Sequence, residues 1–343
     1  MNLLPSTDQR QIVDTLRSFL SEQASVSRLR PPNPQIGNDD ARLWPRIGEL
    51  GFLGVAIGDQ RGGIGLGAAE EMLACREFGR HLLSPAVLAV TLAAHLAARR
   101  DAMDLLAELM AGRAAVGIAN PRGPVEIGPS CSGDFHLIDG EGAPWILCCT
   151  EQGTALLQRE QFGDVQAVLG TDNMLALRRA SLRAAKPALW LAEGEARLHV
   201  RAMLLSAAYA VGMAEATRDM AVEYAKLREQ FGKPIGSFQA VKHICADMAI
   251  RAEAALCQTT VAALVVDEDK AGAEFHVTAA KIVATQAALD NAASNIQVHG
   301  AFGFTSEADA HLFLKRAHVI DRFTGDLRRQ KARLIDMPYP EAA

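Results

Sequence analysis

Apolar positions recur three and four residues apart through most of the first 110 residues, which is the spacing of one helix face. Ile12, Leu16, Phe19 and Leu20 form one such stripe. "ARLWPRIGELG" predicts a second helix, "AAEEMLACREFGRHLL" a third and "VLAVTLAAHLAARR" a fourth. Pro31, Pro32 and Pro34 predict a loop between the first two. From about residue 112 to 189 the pattern changes. Gly and Pro become frequent, and the apolar runs shorten to "AAVGIAN", "FHLIDG", "PWILCCT", "TALLQ" and "QAVLG". Short bounded runs of this kind predict the strands of a small antiparallel β-domain.

Helical spacing returns at about Glu193. Val200, Met203, Ala207, Val211 and Ala214 make one stripe; Phe238, Val241, Cys245, Met248, Ala252 and Ala255 make another. A third helix is predicted over "FHVTAAKIVATQAALDNAASNI" and a fourth after Ser306, read as an N-cap with Asp309 three residues on. Long striped helices with short connections predict an antiparallel four-helix bundle. The expected fold is therefore mainly α with a small β-domain. It comprises a helical segment 1–111, a shortened middle β-domain 112–190 and a helical bundle 191–343.

Charge narrows the function. Lys plus Arg total 35 and Asp plus Glu total 40, a net −5, so the basic surplus of a nucleic-acid binder is missing. The six cysteines form no CxxC pair, and reduced thiols in a cytoplasmic protein are expected. The first twenty residues lack a basic segment followed by an apolar run, so no signal peptide is expected. No uncharged apolar stretch has the length of a bilayer span.

Two stretches carry chemistry. In "REQFGKPIGSFQAVKHICADM", Gly232, Pro234 and Gly236 stop the helix that ends at Arg228, and Ser237 is placed to cap the next. A guanidinium at such a corner suits phosphate oxygens, which it grips two at a time. The alternative is an ordinary surface arginine paired with Glu223 or Glu229. In "QVHGAFGFTSEADAHLFLKRAHVIDRFTGD", Gln297 ends a helix, and Gly300 and Gly303 let backbone approach a ligand closely.

Together these stretches resemble the acyl-CoA dehydrogenase family. Its Arg-x-x-Phe-Gly-x-Pro-Ile-x-x-Phe-Gln signature stands intact as Arg228, Phe231, Gly232, Pro234, Ile235, Phe238 and Gln239. Its Gln-x-x-Gly-Gly-x-Gly-Phe run appears as Gln297, Gly300, Ala301, Gly303 and Phe304, with Ala301 a departure. "GFLGVAIGDQRGGIGLGAAEEMLACREFGR" looks like the family's N-terminal domain. The resemblance implies FAD bound at subunit contacts, an acyl-CoA substrate and an electron-transfer flavoprotein as acceptor. By that correspondence Arg228 and Gln230 meet the pyrophosphate region, and Phe238 and Gln239 lie by the adenosine. The backbone from Gln297 through Val298 and Gly300 to Ala301 lines the same half. Phe231 and Asp326 join this cofactor set.

The resemblance also exposes a gap. Desaturating an acyl thioester needs a base for the proton beside the carbonyl. The family's usual base is a glutamate before a glycine; here that position is Thr324, followed by Gly325 in "RFTGD". The alternative position, on the first bundle helix, is Ala202. Neither side chain is a base near neutral pH, although the Thr324 N–H can still donate to a thioester oxygen. The expectation is a base-deficient subunit of a heteromeric enzyme, with a glutamate-bearing relative supplying the carboxylate. Two alternatives stay open: a self-sufficient enzyme using Asp321 or Asp326, and a non-redox acyl-CoA-binding or assembly protein. In the middle domain "IANP" (residues 118–121) stands where the family has a Thr-Glu-Pro-like stretch, and Trp145 reads as core.

Three further features are weighed and set aside. Gly63, Gly65 and Ala68 match a dinucleotide-binding glycine pattern, but Leu82, Leu83 and Ser84 stand where its acidic residue belongs. His311 and His318 share a helix face without a completing ligand set, so no metal site is expected. Cys148 and Cys149 read as strand core, with no basic partner nearby in sequence.

Overall fold

The computed structural model describes residues 3–30, 39–268 and 272–339. The predicted loop at Pro31, Pro32 and Pro34 lies outside the described residues. The chain groups into two compact units. One comprises the described residues within Met1–Pro34, Met72–Leu82 and Leu204–Ala343; the other comprises those within Gln35–Glu71 and Leu83–Met203.

Helix α1 (Thr7–Gln23) begins where Ser6 and Gln9 form a capping box: the Ser6 hydroxyl accepts the Gln9 amide at 3.1 Å, and the Gln9 side chain accepts the Ser6 amide at 2.9 Å. Its stripe buries Val13, Leu16 and Leu20. The predicted second helix is shorter than its apolar pattern. A 3-10 turn, Asp39–Leu43, leads into α2 (Trp44–Glu49), which starts at the proline-compatible first turn and stops before Gly51 at φ +83°. α3 (Ala68–Arg80) and α4 (Ala86–Arg99) fall where expected. Every residue of α4 from Ala86 to Ala98 is buried, which accounts for its lack of a polar face. A further helix, α5 (Met103–Met110), was not among the predicted elements.

The middle region forms a seven-stranded sheet. Its strands are β1 (Val116–Pro121), β2 (Cys131–Ile138), β3 (Trp145–Thr150), β4 (Gly153–Gln158), β5 (Gly163–Ala167), β6 (Leu177–Ala185) and β7 (Leu189–Ala192), in the order β5-β6-β2-β1-β3-β4-β7. The expectation of a purely antiparallel sheet is corrected at one place. β1 and β3 run parallel, pairing Val116 with Trp145 and Ile118 with Leu147. β2 returns antiparallel on one side of β1, so the next strand reaches the other side only by a crossover. Phe135, Cys148, Leu157 and Leu182 are among the buried residues of the sheet's core.

After a single turn, α6 (Glu193–Ala196), comes α7 (Leu198–Leu227), then the two-residue strands β8 (Glu229–Gln230) and β9 (Lys233–Pro234). The remaining elements are α8 (Gln239–Asp267), α9 (Ala273–His299), α10 (Ala310–Arg322) and α11 (Leu327–Asp336). Buried Asn291 ties three of the long helices together: its amide donates to the carbonyls of Ala214 at 3.1 Å and Met248 at 2.9 Å. α3 crosses α7 with backbones nearly touching. A Cβ on Gly212 would lie 1.8 Å from the Arg76 carbonyl oxygen, so only glycine permits the approach.

Two predicted caps are corrected. Ser237 lies in a 3-10 turn, and Phe238 is the N-cap of α8; Ser306 lies in a turn, and Asp309 is the N-cap of α10. Neither side chain makes a capping hydrogen bond. α8 is long and apolar enough to cross a membrane, although only 33% of its most apolar window is buried within the chain. The sequence expectation counted uncharged runs alone, and α8 carries Arg251 and Glu253.

Candidate active site and cofactor cleft

Arg228 sits where α7 gives way to a hairpin. Its amide still donates to the Tyr224 carbonyl at 2.9 Å, and its carbonyl accepts Ile235 N–H at 2.8 Å, closing the hairpin. The turn residues Phe231 (φ 52°) and Gly232 (φ 76°) are both left-handed, as a tight two-residue hairpin requires. Lys233 holds its ammonium 4.5 Å from the Phe238 ring centroid, and Phe231 meets the same ring edge-on at 6.0 Å. The surface-pair alternative for Arg228 loses one partner, because Glu223 pairs with Lys226 at 2.6 Å. Arg228 is exposed, and its guanidinium has no hydrogen-bond or ion-pair partner among the described residues.

The other wall is the end of α9. Gly300 (φ +63°) turns the chain into a 3-10 segment, Gly300–Phe304, and a cleft of about 860 Å³ opens between this turn and the hairpin. It brings together five of the predicted cofactor residues, Arg228, Gln230, Val298, Gly300 and Ala301, with Ile235 of the same signature. Phe231, Phe238, Gln239 and Gln297 do not line it. Phe231 is 92% exposed at the hairpin tip, and Gln239 opens α8 with its amide 3.5 Å from His243.

Among the aromatic members of the cleft that sequence reasoning missed are Tyr224 and His299. Tyr224 stacks on His299 with ring centroids 4.0 Å apart. His299 Nδ1 donates to the Asn295 carbonyl at 2.8 Å, and burial lowers the ring's pKa, so the stacked imidazole is neutral. Signals for both were present: Tyr224 lies one turn before Arg228, and His299 lies inside "QVHGAFGF". No carboxylate is among the residues lining the cleft.

Thr324 and Gly325 lie apart from this cleft, in the turn between α10 and α11. Thr324 is buried and left-handed at φ 67°, a strained setting for a β-branched residue. Its hydroxyl donates to the Phe323 carbonyl at 2.5 Å, and its carbonyl accepts the buried Gln330 amide at 2.6 Å. Gly325 has φ +100°, and a Cβ there would meet the Gln330 amide nitrogen at 2.8 Å. Asp321 accepts the Leu327 amide at 2.9 Å. Asp326 caps α11 by accepting the Arg329 amide at 3.0 Å and lies 3.5 Å from Arg322. It is not in the cleft. Lys281, fully buried on α9, donates to the Ile320 carbonyl at 2.7 Å. Burial brings its pKa down to about 7, with Asp321 opposing.

Ala202 is fully buried on α7. Asn120 and Pro121 of "IANP" end β1, paired with His136 and Phe135, and Trp145 opens β3 half-buried rather than as core. Gly63 and Gly65 lie in a turn before α3, with no strand leading into it. Burial raises Cys149 to about 12 and Cys148 well above its ordinary value, so both thiols stay protonated. No group of three metal-ligating side chains occurs among the described residues.

A helical N-terminal part, a β-sheet and a long-helix bundle with an arginine-bearing hairpin define the acyl-CoA dehydrogenase class. The family models agree. "Acyl-CoA dehydrogenase, N-terminal domain" matches residues 6–104, and "Acyl-CoA dehydrogenase, C-terminal domain" matches residues 196–335. Acyl-CoA dehydrogenase IpdE2 of Mycobacterium tuberculosis is 30% identical over 92% of this chain and 92% of its own length. Acyl-CoA dehydrogenase FadE34 of the same organism is 36% identical over 84% of this chain, which spans 41% of FadE34. The ChsE4–ChsE5 complex from Mycobacterium tuberculosis has a similar fold, with TM-score 0.85 and 24% identity, covering 99% of this chain and 100% of that one. The chain belongs to the acyl-CoA dehydrogenase family, a class of FAD-dependent oxidoreductases.

Proposed function

We propose that the chain is a base-deficient subunit of a heteromeric acyl-CoA dehydrogenase, with a glutamate-bearing relative completing the site. The observation that carries this is the state of the carboxylates around Thr324. Asp321 and Asp326 are both committed to backbone amides of α11, and Thr324 itself is buried. Both carboxylates are thereby turned to the start of α11. The three-part division at about residues 111 and 190 belongs to the same proposal.

The cleft fits the diphosphate end of FAD. Among the described residues it offers a guanidinium without a partner, a stacked aromatic pair and a glycine turn, and its lining includes no carboxylate that would repel phosphate. Arg228 and Gln230 would hold the pyrophosphate, and the backbone at Gly300 and Ala301 would line the same half. Phe238 and Gln239 would contact the adenosine, with Phe231, Gln297 and Val298 beside them; Asp326, the N-cap of α11, would join the cofactor set from outside the cleft. FAD, when bound, supplies a hydride acceptor for the substrate's β-hydrogen. The Thr324 N–H would donate to the thioester oxygen, where negative charge develops as the α-proton leaves.

Relatives of the fold make such an arrangement reasonable. One solved neighbour is named as a complex of two chains, ChsE4 and ChsE5, and another as the "Tcur3481-Tcur3483 steroid ACAD". A third, PigA, is described with FAD. The 29-residue α8 presents apolar surface outward, including Ile250 at 67% exposure, which suits a face covered by a partner subunit. An electron-transfer flavoprotein is the proposed acceptor and the cytoplasm the proposed location. The test is the visible absorption spectrum of the chain purified with and without a glutamate-bearing relative. Bound yellow flavin in the joint preparation supports the proposal; its absence from both preparations would favour a non-redox role.

A further inference from the structure

Ile320 lies four residues before Thr324. If α10 continued by one more residue, the Thr324 N–H would donate to the Ile320 carbonyl. Instead Phe323 is extended at ψ 124°, which turns the Thr324 N–H off the helix, and the ammonium of Lys281 donates to the Ile320 carbonyl at 2.7 Å. The neighbouring amides keep protein partners: Phe323 donates to Val319 at 3.2 Å and Gly325 to Arg322 at 3.3 Å. Thr324 N–H alone of the three makes no hydrogen bond among the described residues. Its residue is also the one held at φ 67°.

A fully buried ammonium, a displaced helix bond and a strained β-branched residue are each costly, and they coincide at one turn. We propose that Lys281 is a positioning residue that takes the Ile320 carbonyl away from Thr324 and so keeps the Thr324 amide free to donate to a ligand oxygen. The ligand class, an acyl thioester, rests on the reading given under Proposed function; the displacement itself does not. Gln330 completes the device from the other side by fixing the Thr324 carbonyl, which stops the turn from relaxing into helix.

The test is amide hydrogen exchange resolved to Thr324, in the full chain and in Lys281→Met, whose side chain is of similar size and apolar. With the ammonium gone, Ile320 regains its helix donor. Exchange at Thr324 should then slow about tenfold, the scale of one hydrogen bond. A general loosening would speed it instead, so unchanged or faster exchange at Thr324 overturns the assignment. A second measurement needs no variant and survives a folding failure of Lys281→Met. Saturating butyryl-CoA should slow Thr324 exchange in the unsubstituted protein assembled with its flavin-bearing partner, whereas free CoA, which has no thioester carbonyl, should not. Slowing by both ligands or by neither removes the amide's role as ligand donor. If butyryl-CoA fails to slow Thr324 while Lys281→Met does, the acyl thioester reading falls and the displacement by Lys281 stands.

Discussion

Asp326 accepts the Arg329 amide at 3.0 Å, so the acid beside Gly325 serves as the N-cap of α11. Removing the cap by Asp326→Ala should cost about 0.5–2 kcal/mol, while Asp326→Asn, itself a good cap, should cost much less. Denaturant unfolding measures both. Equal costs for the two variants would mean that the carboxylate's charge matters more than its capping.

Arg228 lines the cleft without a partner among the described residues. If it holds the FAD pyrophosphate, Arg228→Ala removes a charge-assisted contact of about 1.5–3 kcal/mol. Flavin affinity of the assembled protein should fall by about one to two decades. Full flavin retention after exhaustive dialysis would return Arg228 to the status of a solvated surface residue.

Lys281 makes a prediction about pH. Burial lowers it from the ordinary 10.5 to about 7, so between those values the unfolded chain binds more protons than the folded one. Stability should therefore climb as pH rises from 7 towards 10, and level off below 7. Lys281→Met lacks this contribution. Its melting temperature relative to the unsubstituted protein should be highest near pH 7 and drop steadily towards pH 10. A difference independent of pH would place the amine in a more polar setting than its burial implies.

Much of the fold was legible because long helices write their buried face at regular spacing, as in α1, α4, α7 and α9. β6 was not, since "LRRASLRAA" carries three arginines and buries only its centre. The parallel pairing of β1 with β3 is a matter of topology, which strand spacing does not encode. In the site, Arg228, Gln230 and the glycine turn were readable from an intact motif. Lys281 was invisible, because a lysine in an alanine-rich helix reads as a solvated one; only its burial and the shared carbonyl at Ile320 give it a role. Tyr224 and His299 each lie beside a motif, but it is their stacking across two helices that makes them one feature, and that pairing is not written in either segment alone.

The most direct measurement is anaerobic single-turnover bleaching of bound flavin by saturating acyl-CoA. It should be run for the chain alone, for Thr324→Glu and for the chain joined with a glutamate-bearing relative. General-base catalysis is worth about 10²–10⁴-fold, so the missing carboxylate should be plain in the rate. The prediction is no bleaching by the chain alone or by Thr324→Glu, and rapid bleaching once the relative is present. Fast bleaching by the unmodified chain alone would contradict a base-deficient subunit and point to another base, with Asp326 the first to substitute.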